Sequence, residues 1–149
     1  ALSIPSIAKV LLHTHRCSDF VYLFDSEEGF TKQPTTGESP SSRGLHAGCR
    51  LTSDKVVYFG GAAQDGQMSN EVFILDTNTW AWTKVDVSLE DEQPSARAAP
   101  CLCRFSDNCV LVYGGASSPE GGVGGLLAHG DVWALSLDVD SATGKWELL

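Results

Sequence analysis

The sequence is poor in positive charge. Ten Lys and Arg stand against 19 Asp and Glu, a net charge of −9 over 149 residues. No Lys/Arg cluster occurs, so the electrostatic footprint of a nucleic-acid-binding surface is missing. There is no apolar run of ~18 residues and no signal-peptide pattern, and the expectation is no membrane partner. No segment sustains a 3.6-residue period, which argues against helical classes. Chemistry is scarce as well. No G-x-S-x-G elbow is present. The run Gly121-Gly122-Val123-Gly124-Gly125 lacks the Gly-Lys-Ser/Thr that would make it a phosphate loop, and reads as flexible loop.

The five cysteines, Cys17, Cys49, Cys101, Cys103 and Cys109, are an odd number with no C-x₂-C pair. They read as reduced thiols, buried as small hydrophobes, in a cytoplasmic protein, with the nucleus a possible compartment. The four histidines assemble no catalytic set. His13 and His15 alternate where apolar or glycine residues are expected, His46 falls where the next unit has Pro100, and His129 sits in a Gly-rich loop. The expectation is no enzyme activity, no metal and no cofactor.

What is present is a phrase written twice. Residues 56–61 read VVYFGG and residues 110–115 read VLVYGG. Four β-branched or aromatic residues in a row are too short for a helix and read as a strand buried on both faces. The glycines permit positive φ and close backbone approach at its exit. The phrase belongs to a longer match between residues 40–61 and 94–115 at a constant offset of 54. It aligns Pro40 with Pro94, Arg43 with Arg97, Cys49 with Cys103 and Arg50 with Arg104. Downstream, NEVFILD (70–76) answers GDVWALSLD (130–138) at an offset of 60, and WTKV (82–85) answers WELL (146–149) at 64. Strand-like parts keep their length while loops absorb the insertions, as homologous structural units do.

Each unit carries four strand signals, roughly 45–51, 55–60, 71–76 and 80–85, then roughly 99–105, 109–114, 131–137 and 145–149. Turn residues separate them. A worn copy precedes both: KVLLH (9–13) resembles KVVYF (55–59), FVYLFD (20–25) resembles VFILD (72–76), and FTK (30–32) stands where WTK stands later. The expected division is a degenerate partial unit at 1–32, a full unit at 33–93 with its core at 40–85, and a second at 94–149.

A strand ending in Gly60-Gly61 with Phe73 and Trp82, repeated as Gly114-Gly115 with Trp133 and Trp146, resembles the kelch motif. It is closest to its longer-repeat form, in which a unit begins Pro-x-x-Arg. The resemblance implies an all-β fold of four-stranded β-propeller blades around a channel. It implies that the second strand is an inner one, that the double glycine lets the chain leave where blades converge, and that the fourth-strand Trp packs between blades. A propeller has typically four to eight blades. Two and a half units do not close a ring, so the expectation is an incomplete propeller, a piece of a longer chain.

Function in such folds lives in loops at the channel mouth. By resemblance, these are the loops between second and third strands, 62–70 and 116–130, and the loops between blades, 33–43 and 86–97. Arg43 and Arg97 close the inter-blade loops. They either hold acidic groups of a peptide, since the guanidinium fork accepts a carboxylate in bidentate fashion, or tie down their own loops through backbone carbonyls of the neighbouring blade. Gln64, Asp65, Gln67 and Met68 sit at a loop tip, and Leu126 and Leu127 form an apolar pair amid glycines. The functional expectation is a non-catalytic module that binds a protein or peptide as an adaptor. The alternatives are a regulatory propeller attached to a phosphatase, methyltransferase or acyl-CoA-binding protein, or a metal-dependent enzyme whose site lies in other blades.

Overall fold

The computed structural model of the chain describes residues 6–7, 20–88, 92–119 and 125–149. The expectations placed on residues 9–15, on Cys17, and on Gly121, Gly122, Val123 and Gly124 lie outside the described residues.

Three aspartates set the frame of the described sheets. Asp25, Asp76 and Asp138 each end a strand. Each turns its carboxylate back onto the next turn, where Oδ1 accepts the N–H groups two and three residues on. That is the local hydrogen bonding by which Asp favours turns. Four residues after each aspartate the backbone enters the left-handed region, at Gly29 (φ 78°), Trp80 (φ 57°) and Ala142 (φ 54°). The same hairpin is thus built three times, once in the worn unit.

The first sheet is antiparallel, in the order β1 (Ser6–Ile7), β2 (Val21–Asp25) and β3 (Gly29–Gln33). The second comprises β4 (Thr36–Gly37), β5 (Ala47–Arg50), β6 (Lys55–Phe59), β7 (Val72–Asp76) and β8 (Ala81–Lys84), in the order β4-β8-β7-β6-β5. The third comprises β9 (Asp86–Val87), β10 (Cys101–Ser106), β11 (Cys109–Tyr113), β14 (Val132–Asp138) and β15 (Thr143–Leu148), in the order β10-β11-β14-β15-β9. Between β11 and β14 lies a ribbon of β12 (Ala116–Ser117) and β13 (Leu127–Ala128). The described residues hold strands and no helix, and their sheets do not close into a ring.

Two features depart from the sequence reading. Each full sheet has five strands rather than four, because the linker entering the unit adds a two-residue parallel strand to the outer edge: β4 on β8, and β9 on β15. Two residues carry no hydrophobic period, so no pattern announced them. They cover an edge that would otherwise expose unpaired backbone groups. The last strand also starts at Thr143 instead of residue 145, because the Asp138 turn ends at Ala142.

Strand alternation separates two cores. Val57, Phe59, Val72 and Ile74 of the second sheet join Leu102, Val110, Val112, Leu135 and Trp146 of the third. On the opposite face Tyr58, Phe73, Leu75 and Trp82 pack with Val21 of the first sheet. Each fourth-strand Trp faces the preceding sheet and meets an aromatic of its own third strand edge-on, Phe73 with Trp82 at 6.5 Å and Trp133 with Trp146 at 6.4 Å. Phe59 closes the seam between the full sheets, 5.3 Å from Trp146. Such aromatic pairs add ~0.5–1.5 kcal/mol beyond the area they bury.

The far face of the third sheet is different. Phe105 and Tyr113 occupy the repeat positions of Leu51 and Phe59. Leu51 and Phe59 are 0% and 1% exposed, whereas Phe105 and Tyr113 are 72% and 56% exposed. The exposure corrects one expectation about thiols. Cys49 is half-buried in the seam, and its burial pushes the thiol up to about 11, yet its counterpart Cys103 is exposed, as is Cys101. No described sheet packs over them.

A candidate interaction site at the Gly-Gly ends of the blades

Both double glycines sit where backbones converge. A Cβ on Gly60 would lie 2.7 Å from the Arg97 carbonyl oxygen, and one on Gly115 would lie 2.9 Å from that of Ala98. Gly60, Gly61, Gly114 and Gly115 all have positive φ. The convergence stitches the blades together. Gly61 N–H donates to Arg97 C=O at 2.9 Å, Arg97 N–H to Ser69 C=O at 3.1 Å, and Ala99 N–H to Leu45 C=O at 2.7 Å. Asn70 reaches Gln93 and the Pro94 carbonyl. On its other side the linker bridges Ala98 to Ala116, and Ser95 Oγ lies 3.3 Å from His129 Nε2. Linker 93–98 therefore runs between the 62–70 and 116–130 loops and is bonded to both.

Within this frame each arginine is held by an acid that the sequence reading did not single out. Arg97 is 1% exposed. It donates to Asp131 at 2.6 and 2.8 Å, to the Gly114 carbonyl at 3.0 Å, and to the carbonyl and hydroxyl of Ser95. Arg43, 6% exposed, donates to Glu71 at 2.6 Å and to the carbonyl and hydroxyl of Ser41, with its guanidinium over the Phe73 ring. These acceptors belong to each arginine's own unit, not to the neighbouring blade. Glu71 and Asp131 are repeat partners, each one residue before the third strand. An acid beside a valine in both NEVF and GDVW was the available signal.

The two pairs differ in detail. Asp131 also accepts the Trp133 indole N–H at 2.6 Å. The Arg97 hydrogen bond, working against partial burial, holds the Asp131 carboxyl well below the usual carboxylate range. Partial burial raises Glu71, but hydrogen bonds from Lys84 and Arg43 and the Arg43 charge outweigh it and bring the carboxyl down to about 2. Glu71 is thus shared between two cations, Arg43 and Lys84 at 2.8 Å.

The other expected site residues lie on the flanking loops. Residues 62–70 form a hairpin in which Gly66 N–H donates to Ala63 C=O, Ala63 N–H to Gln67 C=O, and Gln67 N–H to Asp65 Oδ1. Gly66 takes φ 86°, the left-handed residue such a hairpin loop requires. Gln64, Asp65 and Gln67 are exposed at its tip and Met68 is half-buried. Leu126 and Leu127 are 63% and 53% exposed on the corresponding loop of the next blade, where Leu127 pairs with Ser117 in the ribbon. A cleft of about 330 Å³ runs between Ser41 and the 67–70 side of the hairpin, over Arg43 and Glu71. His46 packs by ring contact with Tyr58, centroids 5.6 Å apart. Among the described residues no group of three His, Cys, Asp or Glu is placed to hold a metal.

A model of the KLHDC2/KLHL20/DRC7 Kelch-repeats domain matches residues 12–149. The chain belongs to the kelch-repeat family. Kelch domain-containing protein 2 of Bos taurus is 32% identical over 109 residues, covering 72% of this chain and 26% of that protein. Dynein regulatory complex subunit 7 of Chlamydomonas reinhardtii is 31% identical over 84 residues, covering 56% of this chain and 7% of that protein. Acyl-CoA-binding domain-containing protein 4 of Arabidopsis thaliana is 30% identical over 93 residues, covering 58% and 14%. This kelch chain spans about a quarter or less of the length of these relatives. The family membership supports a protein-interaction module, and the sheets described above are kelch blades.

Proposed function

We propose that these blades form a non-catalytic module that binds a protein or peptide through the loops at their Gly-Gly ends. The observation that carries the reading is the bonded linker between the two loops. It holds exposed side chains, Gln64, Asp65 and Gln67 on one side and Leu126 and Leu127 on the other, on a fixed base. Preorganised loops bind without a large ordering cost. In this reading Arg43 and Arg97 hold the base through Glu71 and Asp131, while the loop tips and Met68 make the contacts. The compartment proposed is the cytoplasm, in keeping with the free thiols among the described residues. The likeness to an acyl-CoA-binding domain-containing protein favours one second reading, a regulatory propeller attached to another functional domain.

The test is selection of displayed random peptides on the full chain. Selected peptides are then measured against a Gln64→Ala, Gln67→Ala, Met68→Ala variant that keeps Asp65, whose carboxylate caps the turn. The reading predicts at least ~10-fold weaker binding at unchanged melting temperature, the size of ~1.4 kcal/mol lost at a contact cluster. Equal binding by both proteins overturns it.

A further inference from the structure

The opposite end of the same strands carries a second arginine repeat that the loop site does not use. Arg50 and Arg104 are repeat partners on the first strands of the two full blades, Arg50 at the strand's end and Arg104 two residues before it. Both are exposed, yet neither guanidinium is loose. Arg50 Nε donates to the Thr52 carbonyl at 2.9 Å and its Nη2 to the Ser53 carbonyl at 2.6 Å. Arg104 Nε donates to the Ser106 carbonyl at 3.3 Å, and its Nη2 meets the Asp107 carboxylate. In both residues the Nε/Nη2 edge of the fork is fixed to its own hairpin. Among the described residues no hydrogen bond engages Nη1 of either arginine.

Both arginines line one cleft of about 470 Å³ with Thr52, Ser53 and Asp107. First strands of the two blades lie side by side here, so the cleft spans the blade boundary. It is a cationic spot on a chain of net charge −9. The Arg50 fork, its Nε/Nη2 edge already held by two backbone carbonyls, loses little further freedom on meeting a carboxylate at its outer side, and Arg104, already paired with Asp107, adds a second fork beside it. Asp107 in the lining decides the charge of the ligand. Beside it, a singly charged carboxylate is tolerated far better than a dianionic phosphate.

We propose that Arg50 and Arg104 form a second binding site, at the end of the blades away from the double glycines, for a carboxylate side chain of an acidic peptide segment. The proposal is independent of the loop site and names a different surface. It is tested on the full chain with an acetylated and amidated tetraglutamate as probe, tetraglutamine as the neutral control, and inorganic phosphate as competitor. Binding is followed by chemical-shift changes at the hairpins 51–55 and 104–109. The expected result is saturable binding of tetraglutamate and none of tetraglutamine. Roughly 10-fold weakening is expected in each of Arg50→Gln and Arg104→Gln, the loss of one charge-assisted hydrogen-bond set. Arg50→Lys should lose most of that affinity too, because it keeps the charge and removes the fork. The loop variant should bind like the parent, which separates failure here from failure of the loop reading. Binding that survives both arginine substitutions overturns the proposal. Phosphate displacing the peptide at equal concentration, or shifts confined to the Gly-Gly loops, would overturn it as well.

Discussion

Arg97 places both ends of its fork on Asp131, at 2.6 and 2.8 Å, from a side chain with 1% of its surface exposed. Arg43 and Glu71 repeat the pair one blade earlier, but with a single contact at 2.6 Å and an acid shared with Lys84. Both guanidiniums are buried, so removing either acid is costly, and the arginine that is bonded to its acid twice loses more. Asp131→Asn should therefore destabilise the chain by about 3 kcal/mol, near the low end for buried pairs because Asp131 keeps some solvent contact. Glu71→Gln should cost about 1 kcal/mol, since solvent screens that carboxylate more. Urea denaturation of the two variants checks the order, and a larger loss for Glu71→Gln would contradict it.

The same acids predict the direction of pH dependence. Both carboxyls are lowered in the folded chain, Glu71 from 4.5 to about 2, and Asp131 well below the usual carboxylate range through its bond to Arg97. A lowered acid contributes stability that is fully present above its unfolded value and is lost as pH falls toward the folded one. Stability should hold from neutral pH down to about 4.5 and then fall toward pH 2. Denaturation midpoints across that window check this, and Glu71→Gln should flatten part of the slope. A slope unchanged in Glu71→Gln would remove Glu71 from the account.

The glycine pairs are not equivalent to one another. A Cβ on Gly60 or Gly61 would meet a carbonyl oxygen at 2.7 Å, while one on Gly114 would meet nothing closer than 3.5 Å. All three have positive φ, which costs a non-glycine residue ~1–2 kcal/mol. Gly114→Ala should lose about that much. Gly60→Ala and Gly61→Ala should lose distinctly more, because the carbonyls they approach, those of Arg97 and Gly44, already accept backbone N–H groups and cannot give way. Thermal melts of the three variants rank them.

Strands and turns were legible because each rests on a local signal. Short apolar runs mark the strands, turn residues separate them, and the double glycine marks convergence. The parallel strands Thr36–Gly37 and Asp86–Val87 were not legible, since two residues hold no period and their partners lie far along the chain. The pairing of Arg43 with Glu71 and Arg97 with Asp131 was half-legible. Each member recurs at its own constant offset, but 28 and 34 residues separate the partners, and the six-residue insertion in the second unit hides the correspondence. The sequence suggested burial for Cys103 by analogy with Cys49, and missed that the face it shares with Phe105 and Tyr113 has no described sheet against it.

That face carries its own prediction. Phe105 and Tyr113 stand where Leu51 and Phe59 are covered by the next blade, so a further kelch blade is the complementary surface. The chain taken alone should self-associate with rising concentration. Phe105→Ser with Tyr113→Ser should suppress association while leaving the unfolding midpoint close to the parent's, because exposed side chains contribute little to folding. Sedimentation of the two proteins decides it, and equal association would place the sticky surface elsewhere.

Backbone hydrogen exchange of the full chain, with and without a saturating selected peptide, tests the central claim most directly. The account predicts new protection at residues 62–70 and 125–130 and along linker 93–98, with the hairpins at 51–55 and 104–109 unchanged. Protection confined to those hairpins, or to the face of Phe105 and Tyr113, would contradict it.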